Sequence, residues 1–316
     1  MKHIFIINPT SGKKNISQLL RPQIAEAAEK LGVTTEIVET EYKGHATKLT
    51  RQFAEEAAEK KEIVRVYACG GDGTFNEVMS GAQGQEWVQV GCIPHGSGND
   101  FVRNFGSRED FLDVAELMDG EAETIDMIKT NAGWSAAICA AGLDAQVAYS
   151  IPKYRRLPFC GGSMAYYLSI VEQLCGKIGQ KLSINIDGEV IEGDDLLIAI
   201  CNGRYYGGGF FAAPEASLDD GMLDIIIVKK ISRLRIAGVL AVYKAGTHIR
   251  NGQVADKVAD IIQYRRGRKV TVNCLDEKPL IMTLDGECSK QTELTAEVVE
   301  NCATVVVPKK LAKVHA

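Results

Sequence analysis

Three glycine-rich segments, each entered from a short apolar run, constrain this chain more than any other feature of its sequence. They are Asn8-Pro9-Thr10-Ser11-Gly12, Gly70-Gly71-Asp72-Gly73-Thr74 and Pro94-His95-Gly96-Ser97-Gly98-Asn99-Asp100. Short apolar runs that lead through glycine turns into helical patterns read as repeated strand–helix units, and such units build a parallel sheet with crossover helices. Residues 3–7, 34–39, 63–69 and 88–93 read as strands, and residues 16–31, 46–60 and 75–82 as helices. Residues 100–105 read as the start of a further helix. Pro22 must sit in a first turn or mark a kink.

The pattern changes near Ile125. Short strand-like runs then dominate, at 184–186, 196–201, 223–228, 270–274 and 280–284, with helical stretches near 164–175 and 234–245. Asp187-Gly188 lies between two short alternating runs, which is a hairpin signal. The second half should therefore be mainly antiparallel. The last apolar run, 303–307, reads as a strand that stops at Pro308.

Parallel strands bring the loops at their carboxyl ends to one edge of the sheet, where ligands bind. Glycines let backbone N–H groups approach a ligand closely. A helix that starts there adds unpaired N–H donors and a favourable dipole, so phosphate is well held. Asp72 would place a carboxylate beside the phosphates, suited to managing a cation or a proton. Each loop taken singly also reads as a plain tight turn; three at one edge are far harder to explain that way. There is no GxxxxGK[ST] and no GxGxxG, which disfavours a P-loop NTPase or a standard dinucleotide-binding dehydrogenase.

Two further constellations follow. Asn202-Gly203, Tyr205-Tyr206 and Gly207-Gly208-Gly209 precede Ser217-Leu218-Asp219-Asp220-Gly221-Met222, an acidic turn that could hold a hard cation through oxygen atoms or be only a turn. Leu284-Asp285-Gly286-Glu287 puts two carboxylates around a glycine at a strand end. One could serve as a base toward a hydroxyl, or the segment is a surface hairpin.

Composition removes other classes. The net charge of −5 argues against broad nucleic-acid binding. The nine cysteines are odd in number, scattered and without a CxxC pair, so buried thiols in a reducing cytoplasm fit better than disulfides or zinc. The first apolar run is too short for a signal peptide, and no run reaches the ~18 apolar residues of a membrane span.

With NPTSG, GGDGTFNEV, IPHGSGNDF, GLDAQV, NGRYYGGGFFAAPEASLDDGMLD and TLDGE in that order, the chain resembles the bacterial diacylglycerol kinase-like lipid kinases, relatives of the sphingosine and ceramide kinases. The resemblance spans nearly the whole chain. It implies an α/β chain of two domains: a three-layer α/β nucleotide-binding domain (1–125 plus 298–316) and a mainly antiparallel β-sandwich lipid domain (126–297). It further implies an active site in the cleft and a last strand returning to the first domain.

The implied reaction transfers the γ-phosphate of MgATP to a lipid hydroxyl, diacylglycerol giving phosphatidic acid. Asn8, Pro9, Thr10, Ser11, Gly12, Thr40, Gly70, Gly71, Asp72, Gly73, Thr74, Asn76 and Ser97 would line the ATP site. The family often has threonine where this chain has Ser97, and the hydroxyl is kept. A structural magnesium ion would sit at Ser217, Asp220 and the Met222 carbonyl. Glu287 would be the proton acceptor, with Asp285 near the catalytic magnesium. The sphingosine branch gives the base role to the aspartate matching Asp72.

Two rivals stand beside this reading. An NAD kinase shares Gly-Gly-Asp-Gly but fits the other two loops poorly. A non-catalytic nucleotide- or lipid-binding regulator would not need carboxylates at 72, 285 and 287. A lipid kinase without a transmembrane segment is expected in the cytoplasm, peripheral at the inner face of the membrane, where it meets its lipid. Residues 153–159 join cations with apolar side chains; they read as a plain surface loop, with contact to anionic lipid as the alternative. Sheet edges in the second domain leave a homodimer open.

Overall fold

The computed structural model describes residues 1–12, 15–96, 98–157, 163–176, 178–276 and 279–312. The chain divides into two compact units, 1–127 with 299–316, and 128–298.

The first unit begins β1 (Lys2–Ile7), α1 (Ile16–Leu31), β2 (Thr34–Glu39), α2 (His45–Lys60), β3 (Val64–Gly70), α3 (Asp72–Ala82) and β4 (Val88–Pro94). β1 pairs in parallel with β2 and β3, and β3 in parallel with β4. Ile4, Phe5, Ile6 and Ile7 are all buried, as are Val66, Tyr67, Ala68 and Cys69. A parallel strand covered on both faces is apolar at most positions, which is why these strands read as nearly continuous runs, Arg65 of β3 being held by Gln89 of β4. Asn15 caps α1 by accepting the N–H groups of Ser17 and Gln18, and Gly32 closes it in the left-handed region. Pro22 lies in the second turn rather than the first.

After β4 the expected helix does not form. A single 3₁₀ turn covers Phe101–Asn104 and another Arg108–Phe111, before the short α4 (Val114–Met118) and β5 (Glu121–Thr130). Asn99 in the left-handed region and Gly106 beyond the first turn interrupt the run. Phe75, Phe101, Phe105 and Phe111 instead form a chain of ring contacts that fixes the segment by packing.

The second unit contains β6 (Gly133–Ser135), β7 (Ile138–Gly142), α5 (Leu143–Arg155), α6 (Ser163–Cys175), β8 (Gln180–Ile186), β9 (Glu189–Cys201), β10 (Tyr205–Tyr206), β11 (Phe210–Phe211) and β12 (Leu223–Lys229). It continues with α7 (Arg233–Lys244), β13 (Ile249–Arg250), β14 (Gln253–Val254), β15 (Ile262–Gly267), β16 (Lys269–Cys274), β17 (Leu280–Leu284) and β18 (Glu287–Gln291), and enters β19 (Glu293–Val307). The ladders among β7, β8, β9, β12, β15, β16, β17 and β18 are antiparallel. Their inner faces bury Leu182, Ile184, Ile198, Ile225, Val272 and Met282.

The fold class is therefore the expected one: an α/β unit, an antiparallel β-rich unit, and a last strand that rejoins the first. In β19, Glu293–Glu297 pair antiparallel with β16, while Thr304, Val305 and Val306 pair parallel with Gln89, Val90 and Gly91 of β4. The short α8 (Lys309–Ala312) follows. The strand is far longer than the run 303–307 suggested. Helix α5 carries Pro152 in its interior and takes in residues 153–155 of the segment that reads as a surface loop. Pro158 and Phe159, the end of that basic–apolar segment, lie outside the described residues, as do Lys13, Lys14 and Ser97. No helix among the described residues is long and apolar enough to cross a membrane.

Candidate active site

The three glycine-rich loops meet at the carboxyl ends of β1, β3 and β4. Asn8 Nδ2 donates to Thr74 Oγ1 at 3.1 Å, which ties the first loop to the second. Asn8 Oδ1 accepts the Thr10 N–H at 3.1 Å and the Thr10 hydroxyl at 2.8 Å, so the Pro9-Thr10 turn is held by its own first residue. The backbone N–H groups of His95 and Gly96 donate to the Gly70 carbonyl at 2.8 and 3.0 Å, joining the second loop to the third.

The glycines are needed where the loops touch. A Cβ on Gly96 would stand 2.3 Å from Gly71 Cα. A Cβ on Gly12, whose φ is +76°, would stand 2.8 Å from the His95 carbonyl oxygen. One on Gly70 would meet Thr74 Oγ1 at 2.5 Å and Ser11 Oγ at 3.1 Å. Thr40 follows β2 at the same edge, its N–H bonded to the Ile7 carbonyl at 2.9 Å. Asn8, Thr10, Ser11, Gly12, Thr40 and the Gly70–Thr74 loop are thus assembled at one sheet edge, with Asn76 one turn into α3.

Helix α3 starts at Asp72, earlier than the sequence suggested, so Gly73 and Thr74 lie in its first turn. The N–H groups there have no intrahelical acceptor and carry the positive end of the helix dipole. Asp72, the first residue of the helix, binds the third loop. Its Oδ2 accepts the Asn99 N–H and its Oδ1 the Asp100 N–H, both at 2.7 Å. Asn99 in turn donates through Nδ2 to the Gly70 carbonyl at 3.0 Å. His95, beside this junction, has its pKa lowered by burial and by the Arg108 charge.

Glu77, within the same motif, was not singled out from sequence. Its carboxylate accepts the N–H of Gly44 at 2.8 Å and of Ala46 at 3.2 Å, capping α2 from α3. Nothing in local spacing signals a cap supplied by another helix.

In the second unit Leu284 faces Glu287 across a two-residue turn, with Asp285 at φ 45° and Gly286 at φ 93°. That is the left-handed pair a tight hairpin requires. The Asp285 side chain reaches back to the start of β7. Its Oδ1 accepts the Ser135 hydroxyl at 2.9 Å, the Ala137 N–H at 3.1 Å and the Ile138 N–H at 2.9 Å, and its Oδ2 accepts the Ala136 N–H at 2.7 Å. A carboxylate offers about four lone-pair sites. Three of the four donors share Oδ1. Glu287 opens β18 and is exposed.

Asp187-Gly188 forms a matching turn, and Asp187 likewise accepts two backbone N–H groups, from Arg268 and Lys269, each at 2.9 Å. Both Asp-Gly turns use the aspartate to bind a neighbouring strand.

At the acidic turn Ser217 Oγ donates to Asp219 Oδ1 at 2.6 Å, and the Met222 N–H donates to Asp220 Oδ1 at 3.1 Å. Arg266 binds the other Asp220 oxygen. Asp224, absent from the sequence reading, lies beside this pair. Its side chain is 1% exposed, Tyr264 donates to Oδ1, and Oδ2 stands 3.7 Å from Arg266 Nε without a hydrogen-bond partner. Burial raises the Asp224 pKa, against the hydrogen bond from Tyr264 and the Arg266 charge. Among the described residues no cluster of three His, Cys, Asp or Glu side chains could hold a metal. Ser217, Asp220 and the Met222 carbonyl offer oxygen atoms of the hard kind that magnesium takes together with water, while Arg266 already provides positive charge to Asp220 and Asp224.

Comparison with known proteins agrees over both halves. Residues 2–130 match the family model of the diacylglycerol kinase catalytic domain, and residues 137–307 that of the YegS C-terminal NAD kinase beta sandwich-like domain. A diacylglycerol kinase of Bacillus subtilis (strain 168) is 33% identical over 89% of this chain and 88% of its own length. One from Staphylococcus carnosus (strain TM300) is 28% identical over 96% of this chain and 94% of its own. A crystal structure of a diacylglycerol kinase from Bacillus anthracis strain Sterne shares the fold, with a TM-score of 0.68 at 22% identity over 98% of each chain.

Proposed function

The chain belongs to the diacylglycerol kinase family, and from that premise we propose that this lipid kinase transfers the γ-phosphate of ATP to the hydroxyl of diacylglycerol, giving phosphatidic acid. The observation that carries the reading is the junction of the three loops. Kinases of this kind do little covalent chemistry; they position phosphates and stabilise charge. The first turn of α3 supplies N–H donors for that task, and Ser11 a hydroxyl. Asp72 holds the second loop against the third, which makes it a positioning residue.

We assign proton transfer to Glu287. As the lipid oxygen bonds to the γ-phosphorus, the bond from that phosphorus to the bridging oxygen breaks and ADP leaves. The hydroxyl proton passes to the Glu287 carboxylate. Asp285 fixes the turn that presents Glu287 and carries no proton in this scheme. Ser217, Asp220 and the Met222 carbonyl are assigned to a structural magnesium ion, with Arg266 sharing Asp220. Magnesium, when bound with the nucleotide, supplies positive charge against the phosphate oxygens. The lipid is met at the inner face of the membrane, from the cytoplasm.

The test is purified protein with labelled ATP and diacylglycerol in mixed micelles, the product identified by mass spectrometry. Phosphatidic acid is expected. Failure to label diacylglycerol, monoacylglycerol, phosphatidylglycerol or sphingoid bases would sink the proposal, and labelling of NAD in their place would move the enzyme to another acceptor class.

A further inference from the structure

The acidic turn at 217–222 already has a cation of its own, and strand register delivers it. Arg266 of β15 lies directly opposite Asp224 of β12. Residues so paired carry their side chains on one face, with Cβ atoms about 4.5–5.5 Å apart. Tyr264, two residues before Arg266, shares that face and gives its hydroxyl to Asp224 Oδ1. Arg266 therefore stays within reach of the turn whenever the ladder is formed. From there its Nη2 donates to Asp220 Oδ2.

The two carboxylates beside the guanidinium are unequal. Asp220 is one-third exposed, and both its oxygens are engaged: Oδ1 accepts the Met222 N–H at 3.1 Å and Oδ2 accepts from Arg266. The Asp224 side chain is 1% exposed, and its Oδ2 has no hydrogen-bond partner. A buried carboxylate oxygen without a donor is costly. The donor nearest at hand is Arg266 Nε, 3.7 Å away. A shift of about 1 Å would bring it to the usual distance of a charge-assisted hydrogen bond. The guanidinium thus has two seats, one occupied and one within a short movement.

We propose that Arg266 is a resident counter-ion that competes with magnesium for Asp220, moving to the Asp224 oxygen when the metal takes the turn. Arg266 and Asp224 then set how tightly magnesium is held there. The inference rests on the assignment of Ser217, Asp220 and the Met222 carbonyl to magnesium. A tethered cation competes at a high effective concentration. Magnesium sheds its water reluctantly and needs the full charge of its carboxylate, which Asp220 shares with Arg266. With Arg266 in place the turn keeps its counter-charge whether or not metal is bound.

The experiment is titration of the full chain, free of nucleotide, with manganese as the probe, read by electron paramagnetic resonance and reversed by magnesium. Melting curves are taken with and without magnesium. The wild type is expected to bind one manganese ion that Asp220→Asn abolishes. Arg266→Gln should bind it about tenfold tighter or more. Its metal-free melting temperature should fall, and magnesium should raise it by more than it raises the wild type. Asp224→Asn removes the second seat and should bind manganese severalfold more weakly. The same change made in Arg266→Gln should cost less, because no guanidinium then needs the seat.

Equal manganese affinity in the wild type and Arg266→Gln overturns the inference. So does an equal loss from Asp224→Asn in both backgrounds, which would make Asp224 a bare charge near the metal. Should Arg266→Gln fail to fold, Asp224→Asn alone decides: it keeps the shape of a buried side chain, and unchanged affinity refutes the exchange. Manganese taken up by none of these proteins removes both the magnesium assignment and this inference, while labelling of diacylglycerol would leave the lipid-kinase reading intact.

Discussion

Asp72 accepts the backbone N–H of Asn99 at 2.7 Å, and the same Asn99 donates through its side chain to the Gly70 carbonyl at 3.0 Å. This pair locks the second glycine-rich loop to the third. The lock has a charge at its centre, so it should not survive neutralisation of Asp72.

Asp72→Asn keeps the shape but offers one acceptor oxygen where the loops need two. One of the Asn99 and Asp100 N–H groups then faces an amide N–H. Loss of a charge-assisted bond and exposure of a buried donor cost about 1–3 kcal/mol. The expected result is a melting temperature several degrees lower and at least tenfold weaker ATP binding by calorimetry. Unchanged ATP affinity with abolished turnover would instead give Asp72 a direct chemical role.

Gly96→Ala tests the junction without touching charge. The new Cβ would begin 2.3 Å from Gly71 Cα, which is backbone and cannot rotate away. Overpacking of this kind costs about 1–3 kcal/mol. ATP affinity should fall with stability, whereas Gly188→Ala, where a Cβ would meet nothing within 4 Å and only the positive φ is strained, should leave ATP binding intact.

Asp285 and Glu287 should separate cleanly. Glu287→Gln removes a base from an exposed position and should lower kcat by about 10²–10⁴ with the melting curve unchanged. Asp285→Asn turns one acceptor into a donor facing the N–H groups of 136–138 and should cost about 1–3 kcal/mol in denaturant unfolding. A kcat loss in Asp285→Asn as deep as in Glu287→Gln, at wild-type stability, would put Asp285 in the chemistry.

These contrasts show how far the sequence carries. β1, β3 and β4 were legible because doubly covered parallel strands are apolar at most positions, and the loops because only glycine tolerates the approach of residue 96 to residue 71. The role of Asp285 was not legible, because its partners lie about 150 residues earlier in the chain. Helix α5 was hidden by Pro152, and the missing helix after β4 by phenylalanine packing that no local propensity reports. Asp224 and Arg266 meet at the acidic turn only through the pairing of β12 with β15.

The pH dependence of folding should expose one more carboxylate. Asp144 lies in the first turn of α5, accepting the Ala145 N–H at 2.8 Å and the Tyr206 hydroxyl at 2.7 Å. Burial pushes its carboxyl up to about 6, against the lowering effect of these two hydrogen bonds. The native state therefore binds the proton more tightly than the unfolded chain does. Between the unfolded value of 3.8 and about 6, stability falls as pH rises, and above that window this contribution is flat. The loss is on the order of 1–3 kcal/mol, discounted because Asp144 keeps some solvent contact. Asp144→Asn imitates the neutral acid and keeps a donor and an acceptor for Tyr206 and Ala145. Urea unfolding from pH 4 to 7.5 should show the downward slope in the wild type, a shallower one in Asp144→Asn, and a variant at least as stable as the wild type at pH 7.5. Parallel pH profiles for the two proteins would mean that Asp144 is ionised in the native state throughout that range.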